Sequence, residues 1–360
     1  MFHSRVEKLF FNALCHSISG KELMEKEFVS LTAHEWRMLY DLSVKQGVLA
    51  IVFDAVDSVK QSIPRNIKIQ WALGVEQIEK RYSRQDRLAK ELSCIFAEYG
   101  IKTVALKGMV ISRYYPNPAH RECGDFDCFL FDDFEKGNEI AEQLGAEVRF
   151  DDYKHSHILY KGLMIENHKY CTPIRGADIN KKFENYLQGL LKLTPFEYIK
   201  NSTIIAPLAT FNALFLARHS LTHFLFEGVN IRHLIDWACL LKYEQRKIQW
   251  EEFYRWCELL NMTRFVDLMN CFASDYVGIE ISHPRIKSRD CEMEKVVRNI
   301  LYETNSVYNR PGLSLWQQRW AIVRNMFANH WKFSQIYQKS LIGEYCKALY
   351  GVVFERNPKL

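Results

Sequence analysis

The alternation of apolar and polar positions divides the chain into three stretches. From Ser30, the run SLTAHEW sets Thr32 three residues before Glu35, the spacing of a capping box, ahead of Trp36, Leu39, Leu42 and Val44 at helical intervals. Ser62-Ile63-Pro64 interrupts that pattern. Trp71, Val75, Ile78, Leu88, Leu92, Ile95 and Phe96 then recur at near-helical spacing until Gly100, where a helix C-terminus is expected. Residues 1–100 are expected to form a helical region.

The period then changes. Residues 101–106 read as a short strand, Lys107-Gly108 as a turn, 109–114 as a helical turn or two stopped by Tyr115-Pro116, and 123–131 as a central strand. A helix starting at Asp132 ends at Gly145. Residues 146–150, 155–160 and 163–170 read as strands, the last two joined by a hairpin at Lys161-Gly162. Beyond Tyr170 strand character is lost, and 181–191, 207–226, 231–241 and 250–260 carry helical patterns. The expected fold class is α+β: a small mixed-sheet core over 101–175, flanked by an N-terminal helical region (1–100) and a C-terminal helical domain (176–360).

Chemistry concentrates in the central strand, at Gly124-Asp125-Phe126-Asp127. Carboxylates at i and i+2 share one face of a strand, with Cα atoms about 6.6 Å apart, close enough for both to reach one hard cation. Two acids inside the apolar run Phe126, Cys128, Phe129, Leu130, Phe131 repel each other and are desolvated, so the pair asks for a metal or a proton.

Composition narrows the class. With 360 residues, 48% hydrophobic and 25% charged, the chain can fill two or three cores, and no apolar run reaches the roughly 18 residues of a membrane span. The N-terminus lacks a secretory layout, and the ten cysteines include no C-x-x-C pair, so reduced thiols in a cytoplasmic protein are expected. The net charge of +5 is matched by residues 311–360 alone, which hold seven basic and two acidic residues interleaved with aromatics.

Leu106-Lys107-Gly108, then Tyr115-Pro116, then Arg121-Glu122-Cys123-Gly124-Asp125-Phe126-Asp127 resembles the L-K-G, Y-P, R-x-x-G-D-x-D pattern of a nucleotidyltransferase family in the polymerase-β-like superfamily. The follow-on H-x-x-x-H and R-x-x-x-D of that family match His219, His223, Arg232 and Asp236. One departure is the turn: Gly108 is followed by Met109 where the superfamily has a second glycine or a serine.

The resemblance implies a metal-dependent enzyme that moves a nucleoside monophosphate from an NTP such as ATP to an acceptor hydroxyl or phosphate, releasing pyrophosphate. It implies Mg²⁺ or Mn²⁺ held by Asp125, Asp127 and a third acid, for which Glu166 in the strand Met164-Ile165-Glu166-Asn167-His168 is the candidate. Lys107, Gly108, Arg121, Gly124 and His168 are then expected on the nucleotide side. The acceptor, whether small molecule, protein or peptide, or RNA, is not readable.

Plainer readings stand beside these. Lys107 and Arg121 also fit solvated loop charges, His155-Ser156-His157 an exposed polar edge, and His219 with His223 a packed polar pair or, less economically, a zinc site. Trp316, Trp320, Phe327 and Trp331 fit helical packing better than a nucleic-acid or membrane surface. Two rival functions follow: a non-catalytic nucleotide-binding or interaction module that retains the fold, and a nucleic-acid binder using the basic tail.

Overall fold

Seven strands form one mixed sheet: β1 (Thr103–Leu106), β2 (Phe126–Phe129), β3 (Glu147–Arg149), β4 (His155–Tyr160), β5 (Leu163–His168), β6 (Glu197–Tyr198) and β7 (Ile204–Ala206), in the order β3-β4-β5-β2-β1-β7-β6. The computed structural model describes residues 4–150, 153–175, 177–193, 195–282, 291–303, 314–340 and 342–343. β2 runs antiparallel to β1 and parallel to β5, and β1 runs parallel to β7. β4 and β5 form the expected two-residue hairpin, with positive φ at both Lys161 (47°) and Gly162 (78°), as a type I′ turn requires.

Period-two alternation sends the two faces of the sheet to different cores. Ala105, Phe126, Cys128, Ile158 and Ile165 pack with Leu88, Leu92 and Phe96 of the long helix Arg65–Glu98 and with Ile140 and Ala141 of the helix Phe134–Gln143. Val104, Leu106 and Phe129 point the other way, into a second and larger core built from the remaining helices. That core runs without a break from Val6 to Tyr337. In it Phe11 meets Phe272 edge-on at 6.1 Å, Lys242 Nζ donates to the Ile18 carbonyl at 2.7 Å, and the Ile231 amide donates to Gln46 Oε1 at 2.9 Å. The N- and C-terminal helical stretches therefore share one hydrophobic layer against the sheet.

Two differences from the sequence pattern have physical causes. β2 spans four residues, shorter than the expected 123–131, because Phe131 turns to φ 56° and residues 123–125 approach as a loop. β6 and β7 lie beyond Tyr170, in a stretch read as helical; at two and three residues they are too short for alternation to register.

A buried ion pair links the helical layer to the loop that leads into β2. Arg121, 6% exposed, donates from Nε and Nη2 to Asp236 Oδ1 and Oδ2, both at 2.8 Å, and Tyr115 donates from its hydroxyl to Asp236 Oδ1 at 2.6 Å. Burial alone would raise the Asp236 pKa, but the Arg121 charge and its hydrogen bonds outweigh it and hold the carboxyl below its usual range. Asp236 belongs to the helix Ile231–Glu244, so the bidentate pair ties that helix to the loop leading into β2.

Part of the C-terminal stretch also docks. Trp331, Phe333 and Tyr337 are buried, and Lys332, 1% exposed, donates from Nζ to the Phe224 carbonyl at 3.1 Å. Trp316, Trp320 and Phe327 are half exposed, so the expected packing holds for Trp331 and not for the three aromatics before it. Tyr345, Tyr350, Phe354 and the basic residues Lys347, Arg356 and Lys359 lie outside the described residues. Among the described residues no helix is long and apolar enough to cross a membrane.

Removing one partner of the fastening pair strands a buried guanidinium. Asp236→Ala is expected to cost about 3–5 kcal/mol in urea unfolding. A loss below about 1 kcal/mol, the scale of an exposed pair, would show that the interaction does not hold the two layers together.

Candidate active site

Strand register assembles the site. Leu106 of β1 pairs with Asp127 of β2, and Asp127 pairs in turn with Glu166 of β5. Paired residues on neighbouring strands put their side chains on one face about 4.8 Å apart, so the second aspartate and the third acid are aligned by backbone hydrogen bonding. Asp125 comes from the loop just before β2 and completes the group: one ligand oxygen from each of Asp125, Asp127 and Glu166 lies within 4.8 Å of the others. This face of the sheet looks toward the helical layer, where Asp127 is 2% exposed.

Lys107 follows β1 directly and reaches back over the acids, with Nζ 2.7 Å from Asp127 Oδ1. Its backbone has φ 45° and ψ −115°, a conformation that a side chain makes costly by about 1–3 kcal/mol. The strained residue is thus the lysine, while Gly108 begins the short helix Gly108–Ser112. A Cβ on Gly108 would stand at ordinary contact distance, 3.6 Å, from Arg121 Nη1. Gly124 sits in the exposed loop before Asp125, with open space where a Cβ would lie.

Arg121 has its Nε and Nη2 on Asp236 and its Nη1 2.8 Å from Cys123 Sγ. It is therefore neither a solvated loop charge nor, in this arrangement, turned toward the acids.

Electrostatics separate the three carboxylates. Asp125 has a raised pKa, first because Asp127 is charged beside it and then because it is buried. For Asp127 burial pushes the same way, but the Lys107 charge and the His168 hydrogen bond outweigh it, and its pKa is lowered. Glu166 is likewise pulled down against its burial by His168 and Lys107. Lys107 is raised: its burial is overcome by Asp127, Asp125 and Glu166. His168 Nε2 lies 3.0 Å from Asp127 Oδ1 and 3.3 Å from Glu166 Oε2, and these hydrogen bonds overcome burial to raise its pKa.

Two residues read as an exposed polar edge lie inside the site. β3, not β4, is the edge strand, and in the hairpin His157 pairs with Glu166 and His155 with His168. His157 Nε2 is 3.7 Å and His155 Nε2 4.0 Å from Glu166 Oε1, with side chains 25% and 11% exposed. Burial holds the His155 pKa down to about 4, against the pull of Glu166.

The helical layer closes the other side. His219 meets His223 edge-on at 4.3 Å between ring centroids and stacks on His233 at 6.3 Å, His223 lies tilted against His233 at 5.7 Å, and His223 Nδ1 pairs with Glu227. The histidines of this pair form no group of converging metal-ligand atoms among the described residues, and Asp236 belongs to Arg121 instead. His219 is pushed well below the usual histidine range by burial first and then by the Lys107 charge. Arg232 donates from Nη1 to the Glu122 carbonyl and lends positive charge to Asp125. Beside Asp125, against the long helix, Tyr82, Gln85, Asp86, Met109, Cys123 and Phe126 line a small pocket with room for about one water molecule.

No curated protein and no solved structure matches the chain. A family model does: that of an uncharacterised nucleotidyltransferase, over residues 32–278. The matched span contains the whole sheet, the long helix behind it and the histidine-bearing helices in front of the acids. On that match the chain belongs to this family, and the protein is a nucleotidyltransferase.

Proposed function

We propose that the protein transfers a nucleoside monophosphate from a nucleoside triphosphate to a hydroxyl or phosphate acceptor, with release of pyrophosphate, at the cleft between sheet and helices. The observation that carries this reading is the convergence of Asp125, Asp127 and Glu166, with one ligand oxygen of each within 4.8 Å of the others on a largely buried surface. An all-oxygen set of three carboxylates suits Mg²⁺ or Mn²⁺, and the repulsion between Asp127 and a charged Asp125 is what such an ion relieves. When bound, the metal supplies charge neutralisation on the triphosphate and a lowered pKa for the attacking hydroxyl.

The protein's own groups do the rest. Lys107 is placed over the acids by its strained turn and holds phosphate oxygens with a charge that their proximity keeps fully protonated. Gly108 and Gly124 leave the backbone beside the acids uncrowded for the polyphosphate. His168 donates toward Asp127 and Glu166 and fixes their carboxylate planes. Arg121 acts at one remove, keeping the helical layer seated beside Gly108.

Incubation of the protein with each labelled NTP, Mg²⁺ or Mn²⁺ and a cell extract should transfer label to an acceptor. Asp125→Asn and Asp127→Asn should each abolish that transfer, and turnover like the wild type in either variant would overturn the assignment.

The same two substitutions should move the metal-free protein in opposite directions at pH 7. Asp127 is the acid that Lys107 and His168 hold, so its lowered pKa means stability that is present at neutral pH and lost as pH falls through its folded value. Asp125 has a raised pKa, so its charge costs stability above that value. In EDTA, Asp125→Asn is expected to raise the melting temperature and Asp127→Asn to lower it. The reverse order would mean that repulsion among the carboxylates does not govern the site.

Lys107→Ala should weaken NTP binding, measured by calorimetry with Mg²⁺ present, by about tenfold or more, the loss of a charge-assisted contact. Unchanged affinity would confine Lys107 to pairing with Asp127.

A further inference from the structure

Next to the three-carboxylate cluster, the sheet gathers a second set of ligand atoms of different chemistry. His155, Glu166 and His168 each offer one atom within 4.8 Å of the others. Two features of the fold fix them together: Glu166 and His168 stand at i and i+2 on β5, and the tight hairpin pairs His155 with His168 across β4. None of the three depends on a loop for its position.

The ring orientation of His168 is set from outside the group. Its Nδ1 lies 3.3 Å from the Tyr170 carbonyl oxygen, which can only accept, so Nδ1 carries a hydrogen. Nε2 is left facing Asp127 Oδ1 at 3.0 Å and Glu166 Oε2 at 3.3 Å. A histidine whose other nitrogen donates to a backbone carbonyl is held as metal-ligating histidines usually are. The spacings also suit ligands side by side around one ion, since bonds of roughly 2.1 Å at right angles put neighbouring ligand atoms about 3 Å apart.

His155 supplies the independent observation. Its side chain is 11% exposed and packs against the rings of His157 and His168, with centroids 4.8 and 5.2 Å away. Its Nδ1 is buried with no hydrogen-bond partner, and its Nε2 stands 4.0 Å from Glu166 Oε1, too far for a hydrogen bond. An imidazole binds one ion through one nitrogen, and here that is Nε2, which faces Glu166 without hydrogen-bonding it, while the unpartnered Nδ1 diverges from it around the ring.

We infer that His155, Glu166 and His168 form a nitrogen-containing site for a divalent transition-metal ion, beside the three carboxylates and sharing Glu166 with them. Imidazole with carboxylate selects ions of the Mn²⁺-to-Zn²⁺ series over Mg²⁺, which takes oxygen ligands and gives up water reluctantly. The site goes beyond the proposed transfer reaction and does not require Asp125. With an ion bound there, His168 Nε2 would give up the hydrogen it otherwise donates to Asp127 and Glu166, and Glu166 would be shared between the two sites.

The test uses full-length, tag-free protein stripped with chelator and loaded with Mn²⁺ alone, without nucleotide. Pulsed electron paramagnetic resonance should detect imidazole ¹⁴N coupled to the bound Mn²⁺ in the wild type, and calorimetry should give Mn²⁺ an affinity at least about tenfold above that of Mg²⁺. His155→Gln should weaken Mn²⁺ binding by about tenfold or more, and the His155→Gln/His168→Gln double variant should lose the ¹⁴N coupling. Asp125→Asn should keep it, whatever it does to transfer, so failure of the carboxylate reading and failure of this one are told apart. Bound Mn²⁺ without ¹⁴N coupling in the wild type would overturn the site in favour of a protonated His168 that only hydrogen-bonds the acids. Coupling that survives in the double variant, or no Mn²⁺ binding at millimolar concentration, would overturn it as well.

Discussion

A carboxylate buried as deeply as Asp127 has to be answered by positive charge, and the surroundings of that one group account for most of the site. Water is excluded from it, so Lys107 and His168 converge on the same oxygen. Lys107 can reach only from the first residue after β1, which places the turn. His168 can reach only from β5, two residues beyond the acid that pairs with Asp127. The parallel pairing of two short strands thereby sets which acid lies beside Asp127 and which histidine touches both. Asp125 receives less of this compensation, and its pKa is raised by the charge of Asp127 and by burial.

The other half of the cleft is contributed by helices remote in sequence, and it stays in place through a contact that sequence patterning does not reveal. Arg121 stands four residues before Asp125, where a phosphate ligand is a natural expectation. Its guanidinium instead lies flat against Asp236, 115 positions later. Buried bidentate pairs of this kind specify which surfaces meet more than they add net stability. Here the pair fixes how far the histidine cluster and Arg232 stand from the acids.

Much of this was legible in the residues. Acids that interrupt an apolar strand, as Asp127 and Glu166 do, have no cheap structural explanation, and both are at the site. The Thr32 capping box forms as its spacing implies, and the hairpin at Lys161-Gly162 forms with the backbone angles that its two residues favour. Two features leave no trace in the local sequence. β6 and β7 are too short for a periodic signal, and pairing over a hundred residues leaves no local trace. The position of His155 and His157 is a different case. A two-residue turn fixes every pair along its strands, so His157 opposite Glu166 followed from the turn itself once register was counted outward from Tyr160 and Leu163.

That hairpin also decides where the chain can tolerate a change of length. Lys161 and Gly162 are exposed and touch none of the chemistry, the sort of surface turn at which insertions are ordinarily accepted. Because side chains alternate faces, one residue added there with the pairing shifted to match would turn His155 and His157 into the apolar layer behind the sheet and bring Ser156 and Ile158 round to face Glu166. The length of the solvent-side tip of β4 and β5 is thus tied to the site, although the tip itself is exposed.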